Sequence, residues 1–185
     1  MYSIFDIFKI GIGPSSSHTV GPMKAAKKFI EVLKTNQTFK KTEKINIELY
    51  GSLSFTGKGH NIDIGLVLGL LGHDPEDVSN EIIDKAQSLL ISKNLEIDKN
   101  KSILFDSTNH IIFNKTQKVV TQSNKMKFVA YDSKEQILDS KSYISVGGGF
   151  ISDENNELIS TNENKSPYSF SSCEELLSIC KINKF

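Results

Sequence analysis

The stretch KFVAYDSKEQILDSKSYISVGGGFI, residues 127–151, decides the fold class. KFVAY (127–131), EQILDSKSYISV (135–146) and FI (150–151) carry the residues of strands, alternating apolar and polar or β-branched and aromatic. The run Gly147-Gly148-Gly149 breaks the last pair, as glycines do at a bulge or a close backbone approach. Working back, ILF at 103–105 and IIF at 111–113 are two further short strands. Upstream of residue 92 the apolar period is mostly helical. From Thr19 to Thr35, Val20, Met23, Ala26, Ile30 and Leu33 form one stripe. Asn61 to Leu71 is a short helix with Gly72 just past its end. Pro75 to Ser92 is another, with Val78, Ile82, Ile83, Ala86, Leu89 and Leu90 on one face. Between the first two, INIELY (45–50) alternates as a strand, and GSLSFTGKGH (51–60) is a loop rich in glycine and hydroxyls. Helices and strands in separate blocks make the class α+β, with helices packed on a mainly antiparallel sheet.

The two ends of the chain differ from this middle. In residues 1–10, Ile4, Phe5, Ile7, Phe8 and Ile10 suggest a short helical lead-in. Residues 153–165, DENNELISTNENK, are polar and fit a linker. A last helix, Phe170 to Lys181 with Ser171 or Ser172 as cap, hangs from that linker and reads as the first helix of a further domain. The division expected is a domain over 1–152, a linker over 153–169, and the start of a further domain over 170–185.

Length and composition bound the function. The 185 residues include 38% hydrophobic and 24% charged side chains, enough for one real core. Lys+Arg and Asp+Glu balance at 22 each, so no basic footprint for nucleic acid exists. Every basic side chain is Lys, which binds anions as a point charge and lacks the planar fork of Arg. The start MYSIFDIFKIGIG has no basic segment before a long apolar run, and Ile62 to Leu71 is too short to cross a bilayer. A soluble cytoplasmic protein without membrane contacts is expected. Cys173 and Cys180 form neither a disulfide framework nor a CxxC pair. Two thiols also cannot supply the four thiolates of a typical iron–sulfur cluster.

Two constellations could carry chemistry. In Pro14-Ser15-Ser16-Ser17-His18-Thr19, hydroxyls and unpaired N–H groups gather at a helix start, where the partial positive charge favours an anion. His18 adds an imidazole that can move a proton at neutral pH. The second, Ser52, Ser54 and Thr56-Gly57-Lys58-Gly59-His60-Asn61, repeats the arrangement. Each taken alone fits a capping cluster or a strand–helix turn as well as an active-site loop. His73, after Gly72, fits a helix C-terminus, and His110 fits a strand edge at the surface.

Residues 5–26, FDIFKIGIGPSSSHTVGPMKAA, resemble the N-terminal signature of iron–sulfur-dependent L-serine dehydratases. LYGSLSFTGKGHNIDIGLVLGLLG (49–72) and SYISVGGGFI (142–151) resemble that family's second and third blocks, in the same order. PYSFSSCEELLSIC (167–180) is similar to its junction between the small and catalytic domains. The resemblance implies a beta domain similar to the allosteric substrate-binding domain of some phosphoglycerate dehydrogenases. It implies conversion of L-serine to pyruvate and ammonia with a [4Fe–4S] cluster whose ligands lie outside this chain, its open iron acting as a Lewis acid on the leaving hydroxyl. His60 would be the base or proton relay and His18 a second proton-handling or orienting group. Ser15, Ser16, Ser17 and Thr19 would bind the substrate carboxylate, with Gly59 and Asn61 beside them. No metal ligand is expected in this chain. The partners implied are L-serine and a catalytic alpha domain or subunit, in a homo- or hetero-oligomer. A regulatory or substrate-binding module of such an enzyme is the alternative. The chain could be a separate subunit, a split enzyme or a fragment, and serine and threonine remain open as substrates.

Overall fold

The computed structural model describes residues 11–116, 123–159 and 167–184. The helical lead-in expected over residues 1–10 lies outside them. Six helices and seven strands occur among the described residues, in the α+β arrangement expected. A π-turn, Ser16–Val20, runs directly into α1, Gly21–Thr35. Strand β1, Lys44–Leu49, follows, then α2, Ser52–Thr56, a 3-10 turn at Gly57–His60, and α3, Ile62–Leu70. After a further 3-10 turn at Pro75–Asp77 come α4, Asn80–Ile91, β2, Asn94–Asp98, and β3, Lys101–Leu104. The rest is α5, Ser107–His110, β4, Ile111–Phe113, β5, Lys125–Tyr131, β6, Ile137–Gly147, β7, Phe150–Ser152, and α6, Cys173–Asn183.

The sheet order is β2-β3-β1-β5-β6-β7, and β4 also pairs with β1. Pairing from β1 through β5 and β6 to β7 is antiparallel. On its other edge β1 takes two parallel partners in succession: Lys44 opposes Leu104 of β3, and Ile47 to Leu49 oppose Ile111 to Phe113 of β4. The inward residues of β1, Ile45, Ile47 and Leu49, alternate with Lys44, Asn46 and Glu48, the signature of a sheet covered on one face. Helix α1 covers that face, with the Phe29 ring 5.3 Å from Phe128 of β5. Helix α3 is buried along nearly its whole length, as a helix apolar all round must be. It packs against α1 on one side and α4 on the other.

Two local departures from expectation matter. Residues 51–60 are helical, not a loop: α2 and a 3-10 turn fill the segment. Gly51 makes this possible. Its φ is +55°, and a Cβ there would lie 2.3 Å from the Ser123 carbonyl oxygen, which accepts from the Ser52 N–H at 2.6 Å. The second departure is β2, whose Leu95 and Ile97 are buried in a short alternating run that sequence reading passed over. Elsewhere boundaries shift by a few residues. Helix α4 starts at Asn80 because Ser79 caps it, accepting from the Ile82 N–H. Helix α3 closes with paired bonds, Gly72 N–H to Gly69 and His73 N–H to Leu68, so His73 has the helix-end place expected of it. Gly147, Gly148 and Gly149 all have positive φ, and the β6–β7 register shifts between Ser145 and Gly147.

Past β7 the chain turns back, with Leu158 bridging Ser152 and Ile159 donating its N–H to Ile151. Helix α6 has Ser172 as N-cap and no buried residue. No helix among the described residues is long and apolar enough to cross a membrane.

Candidate active site

The site is assembled by the crossing of α1 and α3. Gly65 and Gly69 lie one turn apart on α3. A Cβ on Gly65 would lie 2.9 Å from the Thr19 carbonyl oxygen, and one on Gly69 would lie 2.1 Å from that of Met23. Only bare glycine faces let the two backbones approach this closely. The helices enter the crossing from their N-terminal ends, so the turn before α1 meets the turn before α3. His18 and His60 sit on those turns, their ring centroids 5.0 Å apart with planes tilted by 44°.

Each imidazole is held differently. His18 Nδ1 lies 2.9 Å from Ser17 Oγ, and His18 Nε2 lies 2.9 Å from Ser52 Oγ at the start of α2. Hydroxyls both donate and accept, so either tautomer is satisfied. Partial burial, then the charge of the neighbouring His60, holds His18 below the ordinary imidazole range, and the interaction with Ser52 opposes this. His60 Nδ1 lies 2.9 Å from the Thr56 carbonyl oxygen. A carbonyl only accepts, so Nδ1 carries the hydrogen. In the neutral ring Nε2 is then bare and able to take a proton.

The hydroxyls divide their tasks. Ser15 is the N-cap of the first turn, its Oγ accepting from the His18 N–H at 3.2 Å and lying 3.4 Å from Ser17 Oγ. Ser16 is exposed at the start of the turn. Thr19 is fully buried, and its hydroxyl donates to the His60 carbonyl at 2.6 Å, tying the two turns together. Gly59 and Asn61 flank His60 and are exposed, Asn61 in the left-handed region at φ +54°. The sequence places Ser52 in the second constellation but gives it no role, and the structure sets it against His18 Nε2. The signal that would have given it one is Gly51, the residue that starts α2 beneath His18.

Other candidates lie apart from this pair. His110 accepts the Asp106 N–H on Nδ1 at 3.0 Å and packs edge-on to Phe105, so it is half-buried and not the surface group expected. Cys173 is exposed and Cys180 partly so, both on α6. No group of three or more His, Cys, Asp and Glu among the described residues could hold a metal ion. The described residues therefore do not fit an iron–sulfur cluster.

The fold and site together define a class: an α+β domain that presents two opposed imidazoles and a hydroxyl-lined helix start on one face. Residues 3–156 match the family model described as serine dehydratase beta chain. The chain is 44% identical to the L-serine dehydratase TdcG of Escherichia coli over 185 residues, 99% of this chain and 40% of that protein. It is 40% identical to the L-serine dehydratase of Haemophilus influenzae over 99% of this chain and 41% of that protein. L-serine dehydratase 1 of E. coli is 39% identical over 97% of this chain and 40% of its own length. The chain belongs to the serine dehydratase beta chain family, and it spans about 40% of the length of the curated relatives it matches.

Proposed function

We propose that this chain is the beta domain of an L-serine ammonia-lyase that converts L-serine to pyruvate and ammonia. The observation that carries the proposal is the pairing of His18 with His60 at the mouth of two helix starts, in a chain of the serine dehydratase beta chain family. That pairing favours direct participation in chemistry over a purely regulatory role. The reaction removes the α-proton and the β-hydroxyl of serine, and the resulting aminoacrylate hydrolyses to pyruvate and ammonia. His60 Nε2 takes the proton, with Nδ1 fixed by Thr56. His18, anchored between Ser17 and Ser52, orients the second ring and stays neutral near pH 7. Ser15, Ser16 and Ser17 receive the substrate carboxylate at the positive helix start. Gly59 and Asn61 border it beside His60. Thr19 acts by positioning, because its buried hydroxyl is spent on the His60 carbonyl.

The [4Fe–4S] cluster belongs to the portion of the enzyme that this chain does not cover. We assign residues 1–152 to the beta domain, 153–169 to a linker and 170–185 to the start of that catalytic portion. The test is serine-dependent pyruvate formation under anaerobic conditions, by this chain alone and with a cluster-bearing partner. Turnover is expected only with the partner. Pyruvate from this chain alone would show that it is not a half-site.

A further inference from the structure

The face beside the histidine pair carries features that this chain does not itself require. Phe55, on α2, is 66% exposed, although its neighbours Leu53 and Ser54 are buried. It sits three residues after Ser52, which holds His18, and one before Thr56, which holds His60. Helix α2 packs against β4, whose Ile112 is also exposed. Lys58 is exposed there too, its Nζ 5.9 Å from the centre of the Phe113 ring. Gly59 has an ordinary negative-side backbone, and a Cβ added to it would meet nothing within 4 Å. Contrast Gly51 and Gly69, where backbone atoms of this chain forbid a side chain. At Gly59 the space is open, so the small residue suits an approach from outside.

A single exposed apolar residue is ordinary on a protein surface. Phe55 differs in its place, on the rim of a site that needs water excluded and a second half supplied. Relatives of this chain carry about 60% of their length beyond the part it matches, so each has a large second portion to be placed against this one. We infer that Phe55, Lys58 and Gly59 form the contact surface for that cluster-bearing portion, with Phe55 as its apolar anchor and Gly59 as the point of closest approach. The inference rests on the functional reading above. Aromatic anchors at the centre of a contact carry a large share of its energy, and the groups around them exclude water.

The experiment joins this chain, in place of the matching 40%, to the remainder of the E. coli TdcG enzyme, reconstituted anaerobically. Amide exchange of residues 52–60 is compared in the free chain and in the joined enzyme. Protection of at least about tenfold is expected on joining, lost in Phe55→Ser and in Gly59→Val. Both variants leave the thermal midpoint of the free chain within about 2 °C of the parent. Ile137→Ser is the control. Ile137 is 65% exposed and opposes Tyr131, itself opposite Lys44, at the far end of β1 from Ser52. It should change neither protection nor turnover. Equal exchange of residues 52–60 in both forms would overturn the inference, as would protection that survives both substitutions. A Phe55-dependent dimer of the free chain by sedimentation would overturn it in favour of a second copy. Pyruvate formation without protection sinks the contact alone, and protection without pyruvate formation sinks the functional reading alone. Should the joined enzyme fail to fold, the same substitutions at the aligned positions of full-length TdcG decide the question.

Discussion

The turn before α1 and the turn before α3 are built from similar residues, hydroxyls and glycines leading to a histidine, yet they hold that histidine in opposite ways. In the first, side-chain hydroxyls occupy both ring nitrogens of His18, and the ring is held below its ordinary pKa range by burial. In the second, a backbone carbonyl takes one nitrogen of His60 and leaves the other for the proton transfer proposed above. A ring gripped at both ends is suited to orientation. A ring gripped at one end, with its tautomer fixed, is suited to accepting a proton. The pair teaches that similar motifs can hold their histidines in different settings through their second partners, Ser52 and Thr56, both on α2.

The sharpest way to break this comparison is to remove each ring in turn, in the assembled enzyme. His60→Ala should lower kcat by about 10²- to 10⁴-fold, the range for loss of a general base. His18→Asn should cost less. Ser52→Ala, which frees His18 Nε2, should lower turnover by about tenfold, the equivalent of one hydrogen bond of about 1.4 kcal/mol. Equal losses for His18 and His60 would mean that they act as one unit, and the division of labour would be wrong. Steady-state rates of pyruvate release measure all three.

A smaller effect tests the crossing that brings the turns together. Gly69→Ala places a methyl 2.1 Å from the Met23 carbonyl oxygen, and the backbone must move. A cost of about 1–3 kcal/mol is expected, the range for overpacking. Gly59→Ala meets nothing and should change stability by less than about 0.5 kcal/mol. Urea unfolding of the two variants separates glycine needed for helix packing from glycine needed at the surface. Equal stabilities would deny that Gly69 sets the crossing.

Much of this was legible in the sequence, and particular residues show why. The stripe Val20, Met23, Ala26, Ile30 and Leu33 located α1, because amphipathic period is a local property. The alternation in INIELY located β1 for the same reason. The two serine- and glycine-rich turns were found from composition. What sequence could not supply was their meeting. That depends on Gly65 and Gly69 facing Thr19 and Met23, a contact between segments more than forty residues apart. Helix α2 was missed because GSLSFTGKGH carries strong loop chemistry, and only the carbonyl of Ser123 reveals what Gly51 is for. Strand β2 was missed because NLEID is short and follows a helix directly.

The smallest effect expected is on stability as a function of pH, and it again sets the first turn against the rest of the molecule. His18 is held low by burial and by His60. His110, far along the chain, is held low by burial and by the charge of Lys44, opposed by Asp106 and Glu135. Both rings therefore resist protonation in the folded chain. In the unfolded chain they take protons as the pH falls through about 6.5. Below that point the unfolded state binds more protons, so folding stability is full above pH 6.5 and declines as the pH drops toward the lowered folded values. The carboxyls held low, Asp106, Glu154 and Glu175, act in the same direction but in a separate window, below the ordinary values of 3.8 for Asp and 4.5 for Glu. Urea midpoints at pH 7.5 and 5.5 isolate the histidines. The parent should be less stable at the lower pH, and His110→Gln and His18→Gln should each flatten the slope. A parent slope of zero across this interval would mean that neither imidazole is held below its free value, and the assignment of His18 as a neutral, orienting ring would lose its physical basis.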